Sequence, residues 1–213
     1  MLDKKFQTAK PFPHLILENF LNDDDYQNLF DFTTKIENWR DIHKGEHISN
    51  RLVADYSEIN GPLKNLIERL YGEKFCNFLS DLLGVKVFGD IENLRGGGLQ
   101  RATNGAKFDI HLDNCWNPIL NAWTVANCIF YINSEWKEEY NGCLELWDEN
   151  KCVKTIEPIG NTMVITINNE KSFHGYPKPI CAPPDKFRQA LILFYYSHTP
   201  VCDINKREGA LWA

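Results

Sequence analysis

Hydrophobic residues recur at helical spacing before Gly84 and at alternate positions beyond it, so the chain predicts helices first and strands afterwards. The early exception is Phe12-Pro13-His14-Leu15-Ile16-Leu17-Glu18-Asn19-Phe20, which predicts a short strand. Asn22 or Asp23 then caps a helix through about Lys35, its acidic first turn complementing the exposed N–H groups there. The polar segment 41–60 shows neither period. His43 and His47 within it are four apart, but Gly45 lies between them and they read as surface histidines. Gly61-Pro62 opens the clearest helix, Pro62 fitting a first turn that does not need its missing N–H. Leu63, Leu66, Ile67, Leu70, Phe78 and Leu79 form one stripe along it, a core face that ends near Gly84.

Beyond that point the predicted strands are 85–94, 106–113, 124–132, 143–147, 152–157, 162–167 and 188–197, separated by Gly, Asn and Pro. Strands and helices do not alternate, which argues against a parallel βαβ sheet. The order predicts a mainly β fold with flanking helices, a double-stranded β-helix of the jelly-roll or cupin shape. The chain reads as one domain over 1–213, with helical N-terminal support at 1–84, a catalytic core at 85–200 and a tail at 201–213.

Composition narrows the class. With 43% hydrophobic and 24% charged residues, and with 13 Phe, 8 Tyr and 6 Trp, the chain is built to pack a core rather than to stay disordered. A formal charge of −6 argues against broad attraction to nucleic acid. The N-terminal stretch from Met1 to Phe6 runs into polar sequence, and no segment reaches membrane-spanning length. The seven cysteines, at 76, 115, 128, 143, 152, 181 and 202, contain no CxxC pair. Free thiols in a reducing, cytoplasmic setting are therefore expected, rather than a disulfide framework or structural zinc.

Chemistry concentrates in Phe108-Asp109-Ile110-His111-Leu112-Asp113. Strict alternation puts Asp109, His111 and Asp113 on one face and Phe108, Ile110 and Leu112 on the other. Two ligands at i and i+2 on a strand reach the same ion, and a third must come from elsewhere. His174, 61 positions after Asp113 and followed by Gly175, is the best supplier. Two imidazoles and one carboxylate on one side of an octahedral ion leave three positions open, the arrangement of non-haem iron(II) oxygen activation.

These residues sit among further motifs in a fixed order: Leu94-Arg95-Gly96-Gly97-Gly98-Leu99, His111-Leu112-Asp113, Tyr131-Ile132-Asn133 with Trp136, Asn141-Gly142-Cys143-Leu144-Glu145-Leu146-Trp147, Phe173-His174-Gly175 and Phe187-Arg188-Gln189-Ala190-Leu191. Over about residues 90–197 the chain resembles the iron(II)- and 2-oxoglutarate-dependent dioxygenase superfamily, and within it the branch of prolyl 4-hydroxylase catalytic domains. The resemblance implies that His111, Asp113 and His174 ligate iron, that Arg188 grips the distal carboxylate of 2-oxoglutarate, and that Tyr131 assists it. A guanidinium suits that task because it binds a carboxylate through two parallel charge-assisted bonds. Asn127 shares the strand face of Tyr131 and is a third candidate to reach the co-substrate. The chain departs from the branch in Gln100-Arg101, where relatives often have a histidine, and in Gly142-Cys143, where they have paired glycines.

The resemblance implies hydroxylation of an unactivated C–H bond, with O2 as oxidant, ascorbate as a supportive reductant, and succinate and carbon dioxide released. Retention of Asp113 favours hydroxylation over halogenation, because halogenating relatives carry a small residue there. The substrate is expected to be a prolyl residue in a protein or peptide, a free amino acid or another small metabolite. Trp116, Trp123, Arg101, Trp136 and Tyr176 could line its pocket, and Tyr176 to Lys186 is either a lid or a rigid proline-rich connection. Two other readings stay open: a cupin-type metalloenzyme that does not use 2-oxoglutarate, and a non-catalytic binding module of the same shape. The sequence leaves the oligomeric state open.

Overall fold

The computed structural model describes residues 2–213 of the chain. Its elements run α1 (Leu2–Thr8), β1 (His14–Leu17), α2 (Asp23–Thr34), β2 (Trp39–Lys44), β3 (Ile48–Ala54), α3 (Gly61–Tyr71), α4 (Glu73–Leu83), β4 (Phe88–Gly89) and β5 (Gly98–Leu112). They continue with β6 (Trp116–Asn117), β7 (Ala122–Tyr131), β8 (Leu144–Asp148), β9 (Lys151–Ile156), β10 (Thr162–Ile167), β11 (His174–Tyr176), β12 (Arg188–Ser197) and β13 (Leu211–Trp212). The strands form a curled, antiparallel half-barrel in the order β1-β10-β7-β12-β5-β11-β8-β9, a double-stranded β-helix as expected.

Local chemistry explains the helices. Asn22 caps α2 by accepting the Asp25 N–H through its side chain. The helix expected from Gly61 to Gly84 is two helices, interrupted at Gly72, whose backbone is extended with ψ 159°. A Cβ at this position would meet the Glu68 carbonyl at 3.1 Å, so glycine allows the chain to double back tightly. The predicted stripe survives the break: Leu63, Leu66, Ile67, Leu70 and Leu79 are all buried against the sheet, in one cluster with Leu99, Phe130, Leu191 and Tyr195. Burying each such side chain contributes on the order of 2 kcal/mol.

Three features differ from the sequence expectation. The segment 41–60, read as polar and irregular, holds the β2–β3 hairpin, and β3 pairs with β5. Arg40, Ile42, Ile48, Arg51 and Val53 of this hairpin line a cavity, and register shifts at Ile42/Lys44 and Ser49/Arg51 break its alternation. The strand expected at 85–94 shrinks to Phe88–Gly89, since Asp90 turns the chain by accepting the Asn93 N–H and Leu94 takes a positive φ of 43°. β5 starts earlier than expected and is long enough to bridge two layers, pairing with β12 through Gly98–Ala102 and with β11 through Phe108 and His111. None of the described helices is long and apolar enough to cross a membrane.

Candidate metal centre

A β-bulge builds the site. His174 pairs with His111 and Tyr176 with Phe108, so three steps along β5 match two along β11. The extra residue changes the phase of β5 and corrects the alternation expected from sequence. Phe108 now shares the cavity face with His111, their rings stacked at 4.0 Å and 25°. Asp109 is displaced from that face and pairs with Lys107 at 3.0 Å and with His47 at 3.2 Å. His47 is accordingly half-buried rather than a surface histidine, stacked on Trp212 at 4.3 Å. The side chain of His43 lies outside the described residues. Gly175 permits the bulge, because a Cβ there would lie 2.7 Å from both the Phe108 and Asp109 carbonyl oxygens.

Beside the bulge, the ligating atoms of His111, Asp113 and His174 all lie within 4.8 Å of one another. His111 Nε2 is 3.4 Å from Asp113 Oδ1, and His174 Nε2 is 3.5 Å from Asp113 Oδ2. Both imidazoles are fixed in the same way. Each Nδ1–H donates at 2.8 Å to the carbonyl two residues upstream, Asp109 for His111 and Ser172 for His174. A carbonyl can only accept, so in the neutral rings both Nε2 lone pairs point into the cluster. His111 Nε2 is buried and has no hydrogen-bond partner, the condition of a nitrogen placed for a cation. Burial would raise the Asp113 pKa, but His174, His111 and the Asn127 amide outweigh it and hold the carboxyl well below the usual range. Burial lowers the His174 pKa, so its imidazole is neutral, as a ligand must be. The donor set therefore fits an iron(II) ion.

Asn127 Nδ2 donates to Asp113 Oδ2 at 2.6 Å, while its own carbonyl accepts from Thr166 Oγ1 at 2.6 Å. Arg207 Nη2 donates to the Asp113 backbone carbonyl at 2.6 Å, tying the tail to the end of β5. The tail ends over the site: β13 pairs with Leu112 and His111, and the Trp212 ring is 5.4 Å from that of His111.

A cavity of about 550 Å³ extends from the cluster between the layers. Arg188 opens β12 on its wall, on the same face as Ala190, Ile192 and Phe194, as alternation predicts. Its Nε donates to the Gly142 carbonyl at 2.6 Å and its Nη2 to the Tyr131 hydroxyl at 3.1 Å, with Tyr176 stacked on the guanidinium at 4.3 Å. Among the described residues no carboxylate lies within 4.0 Å of it. Burial raises the Tyr131 pKa against the opposing pull of Arg188, so the phenol stays protonated.

Of the other residues considered from sequence, Tyr176 lines the cavity. The Arg101 guanidinium points elsewhere, bonding Gln189 and the Thr33 carbonyl and stacking between Trp39 and Phe187. Trp136 donates to the Asn141 carbonyl and packs with Tyr140, and Trp116 packs edge-on against Trp123. The segment 176–186 is pinned by backbone bonds in which Gly105 donates to Ile180, Ile180 to Ala106 and Cys181 to Tyr140. The cavity residue Arg51 went unnoticed in the sequence, in a hairpin that showed no strand period, while Trp212 packs back within the molecule about a hundred positions from the strand it covers.

Residues 97–196 match the family model described as the 2OG-Fe(II) oxygenase superfamily, and the three clustered side chains fall within that range. Over that stretch the chain carries the catalytic core of a 2OG-Fe(II) oxygenase. Its general chemistry is that of an Fe(II)- and 2-oxoglutarate-dependent dioxygenase, and the chain is an enzyme of that class. In fold this oxygenase is similar to a prolyl-4-hydroxylase from Pseudomonas putida, with a TM-score of 0.68 at 13% identity over 92% of this chain and 99% of the other. It is similar also to a prolyl hydroxylase from Trichoplax adhaerens solved with a hypoxia inducible factor peptide, with a TM-score of 0.60 at 17% identity, covering 92% and 88% of the two chains. HygX from Streptomyces hygroscopicus, solved with nickel, 2-oxoglutarate and hygromycin B, gives a TM-score of 0.60 at 10% identity over 93% and 86%. No curated protein matches this oxygenase by sequence.

Proposed function

We propose that the chain hydroxylates a C–H bond of a small molecule or a peptide, with His111, Asp113 and His174 holding iron(II) and Arg188 holding 2-oxoglutarate. The observation that carries this reading is the buried, unpartnered His111 Nε2 in a cluster whose two imidazole Nδ1 atoms are already bonded to carbonyls. Iron(II) held by these residues would activate O2, the oxidant, so that one oxygen atom would enter succinate as carbon dioxide leaves 2-oxoglutarate and the other would enter the substrate.

The chain's own residues bind, orient and shield. The Asp109 and Ser172 carbonyls fix the imidazoles, and the Asn127 amide restrains the Asp113 carboxylate. Arg188 keeps donors facing the cavity while Gly142 and Tyr131 hold its remaining edge, which suits a carboxylate at the far end of the co-substrate. Ile129, Leu144, Ala190 and Ile192 give that end of the cavity an apolar wall, which strengthens each polar contact inside it. Of the similar structures, one holds a hypoxia inducible factor peptide and another hygromycin B, so a prolyl residue, a free amino acid and other metabolites are all candidates on fold alone. We place the enzyme in the cytoplasm, a setting suited to its seven free cysteines.

The test is iron(II)- and O2-dependent conversion of 2-oxoglutarate to succinate and carbon dioxide, with the His174→Ala protein as blank. Turnover above that blank is expected, rising with a fractionated extract that contains the substrate. Metal-loaded protein that neither binds nor converts 2-oxoglutarate would sink the proposal.

A further inference from the structure

Arg51 is a second cation in the cavity for which iron and 2-oxoglutarate provide no partner. It lies on β3 opposite Ala102 of β5, and Ala102 is in turn opposite Arg188 of β12. Residues paired across antiparallel strands share a face, so the two arginines point into the cavity from either side of a methyl group. Both are buried. The Arg51 guanidinium lies over the Phe108 ring at 4.1 Å and 6.0 Å from the Tyr176 ring, whose centroid is 4.3 Å from the Arg188 guanidinium. Tyr176 thus divides two guanidinium sites, one on each side.

Arg51 is poorly satisfied where it stands. Its side chain bonds Gln100 Oε1 alone among the described residues, although a guanidinium carries five donors. No carboxylate among the described residues is within 4.0 Å of it. The Tyr176 hydroxyl beside it is buried and has no hydrogen-bond partner either. A buried cation and a buried hydroxyl left unpaired are both costly unless a ligand completes them. The whole cavity has the same bias: Arg40, Arg51, Arg95 and Arg188 line it against Asp113 and Glu208, in a chain whose net charge is −6.

The geometry points to a subsite in which Arg51 and the Tyr176 hydroxyl bind a carboxylate of the primary substrate, making that substrate a small free acid, such as an amino acid, rather than an internal residue of a polypeptide. This inference rests on the proposed function, because it takes Arg188 as occupied by 2-oxoglutarate. A guanidinium presents its donors in one plane, which matches a planar carboxylate. The stack continues from Phe108 to His111, so a molecule anchored at Arg51 has its remaining atoms beside the metal cluster. Small size fits the lining, of which Glu208, Gly209, Ala210 and Trp212 of the tail form one part. The volume of about 550 Å³ is that of a small-molecule site.

The test is calorimetry under argon on full-length protein loaded with Mn(II) and saturating 2-oxoglutarate. The probes are the twenty common amino acids, their carboxamides and inorganic phosphate. At least one acid is expected to bind tenfold or more tighter than its amide and than phosphate. In Arg51→Gln that acid is expected to weaken about 10- to 100-fold, the range for losing bonds to a charged group, while 2-oxoglutarate affinity stays within twofold. Gln100→Glu gives an independent route, since it offers Arg51 an internal carboxylate; it is expected to raise the melting temperature and abolish the preference for acid over amide. The inference is overturned if no acid is preferred to its amide, if phosphate binds as well as the acid, or if either variant keeps the preference. Failure of the wild-type protein to bind 2-oxoglutarate would instead overturn the proposed function.

Discussion

Replacing Asn127 with alanine removes the 2.6 Å bond from its amide to Asp113 Oδ2 and strands the Thr166 hydroxyl that supports it. A hydrogen bond to a charged group contributes about 1.5–3 kcal/mol, and each 1.4 kcal/mol is a factor of ten, so metal affinity is expected to fall about 10- to 100-fold. Thr166→Val leaves the Asn127 carbonyl unpaired but keeps its amide on Asp113, and a neutral bond of about 1 kcal/mol gives a fall of about fivefold. Because Thr166 acts through Asn127, the double variant should be no worse than Asn127→Ala alone. The assay is anaerobic competition of Fe(II) against a fluorescent chelator, with circular dichroism to confirm the fold. Unchanged metal affinity in Asn127→Ala, or additive losses in the double variant, would refute the orienting role. A loss of 2-oxoglutarate affinity with metal affinity intact would place Asn127 on the co-substrate instead.

Other outcomes follow from the same geometry. Arg188→Met should weaken 2-oxoglutarate about 10- to 100-fold by equilibrium binding while Fe(II) affinity stays within a few-fold; unchanged 2-oxoglutarate affinity would rule out the carboxylate grip. Gly175→Ala places a Cβ 2.7 Å from two carbonyl oxygens of the bulge and should destabilise the fold by about 1–3 kcal/mol in urea, with loss of metal binding; wild-type behaviour would show that the bulge is not needed. Burial depresses the His14 pKa below its ordinary 6.5. Its neutral form is favoured in the folded state, so its stabilising contribution is complete above pH 6.5 and lost as pH falls through the folded value; His14→Gln should flatten that part of the urea stability profile, and an unchanged slope would contradict it. Trp212→Ala removes the stack on His47 and the cover over Phe108, and should lower stability by about 1 kcal/mol and speed hydrogen exchange at the end of β5.

The legible parts of this molecule were those governed by local rules. Strand β10 at Thr162–Ile167 and strand β12 at Arg188–Ser197 fall where alternation between turn residues puts them, and the Asn22 cap forms where the first turn of α2 needs an acceptor. The His111, Asp113 and His174 cluster could be found because two of its members share one strand and the third carries its own His-Gly signal. What stayed hidden depends on long-range pairing. The bulge that swaps Asp109 for Phe108 on the cavity face is imposed by β11, more than sixty positions away. The hairpin bearing Arg51 shows no clean alternation because a register shift between Ser49 and Arg51, with Asn50 at a positive φ of 48°, interrupts β3. Trp212 reaches His111 only because the tail folds back over the sheet, a contact with no local pattern to announce it.

The most direct measurement is the iron content of protein passed through anaerobic gel filtration after loading with Fe(II), for the wild type and for His111→Ala and His174→Ala. One iron per wild-type chain and none in either folded variant is the expected result. Iron retained at full stoichiometry by a folded His174→Ala protein would show that the cluster of His111, Asp113 and His174 is not the metal site.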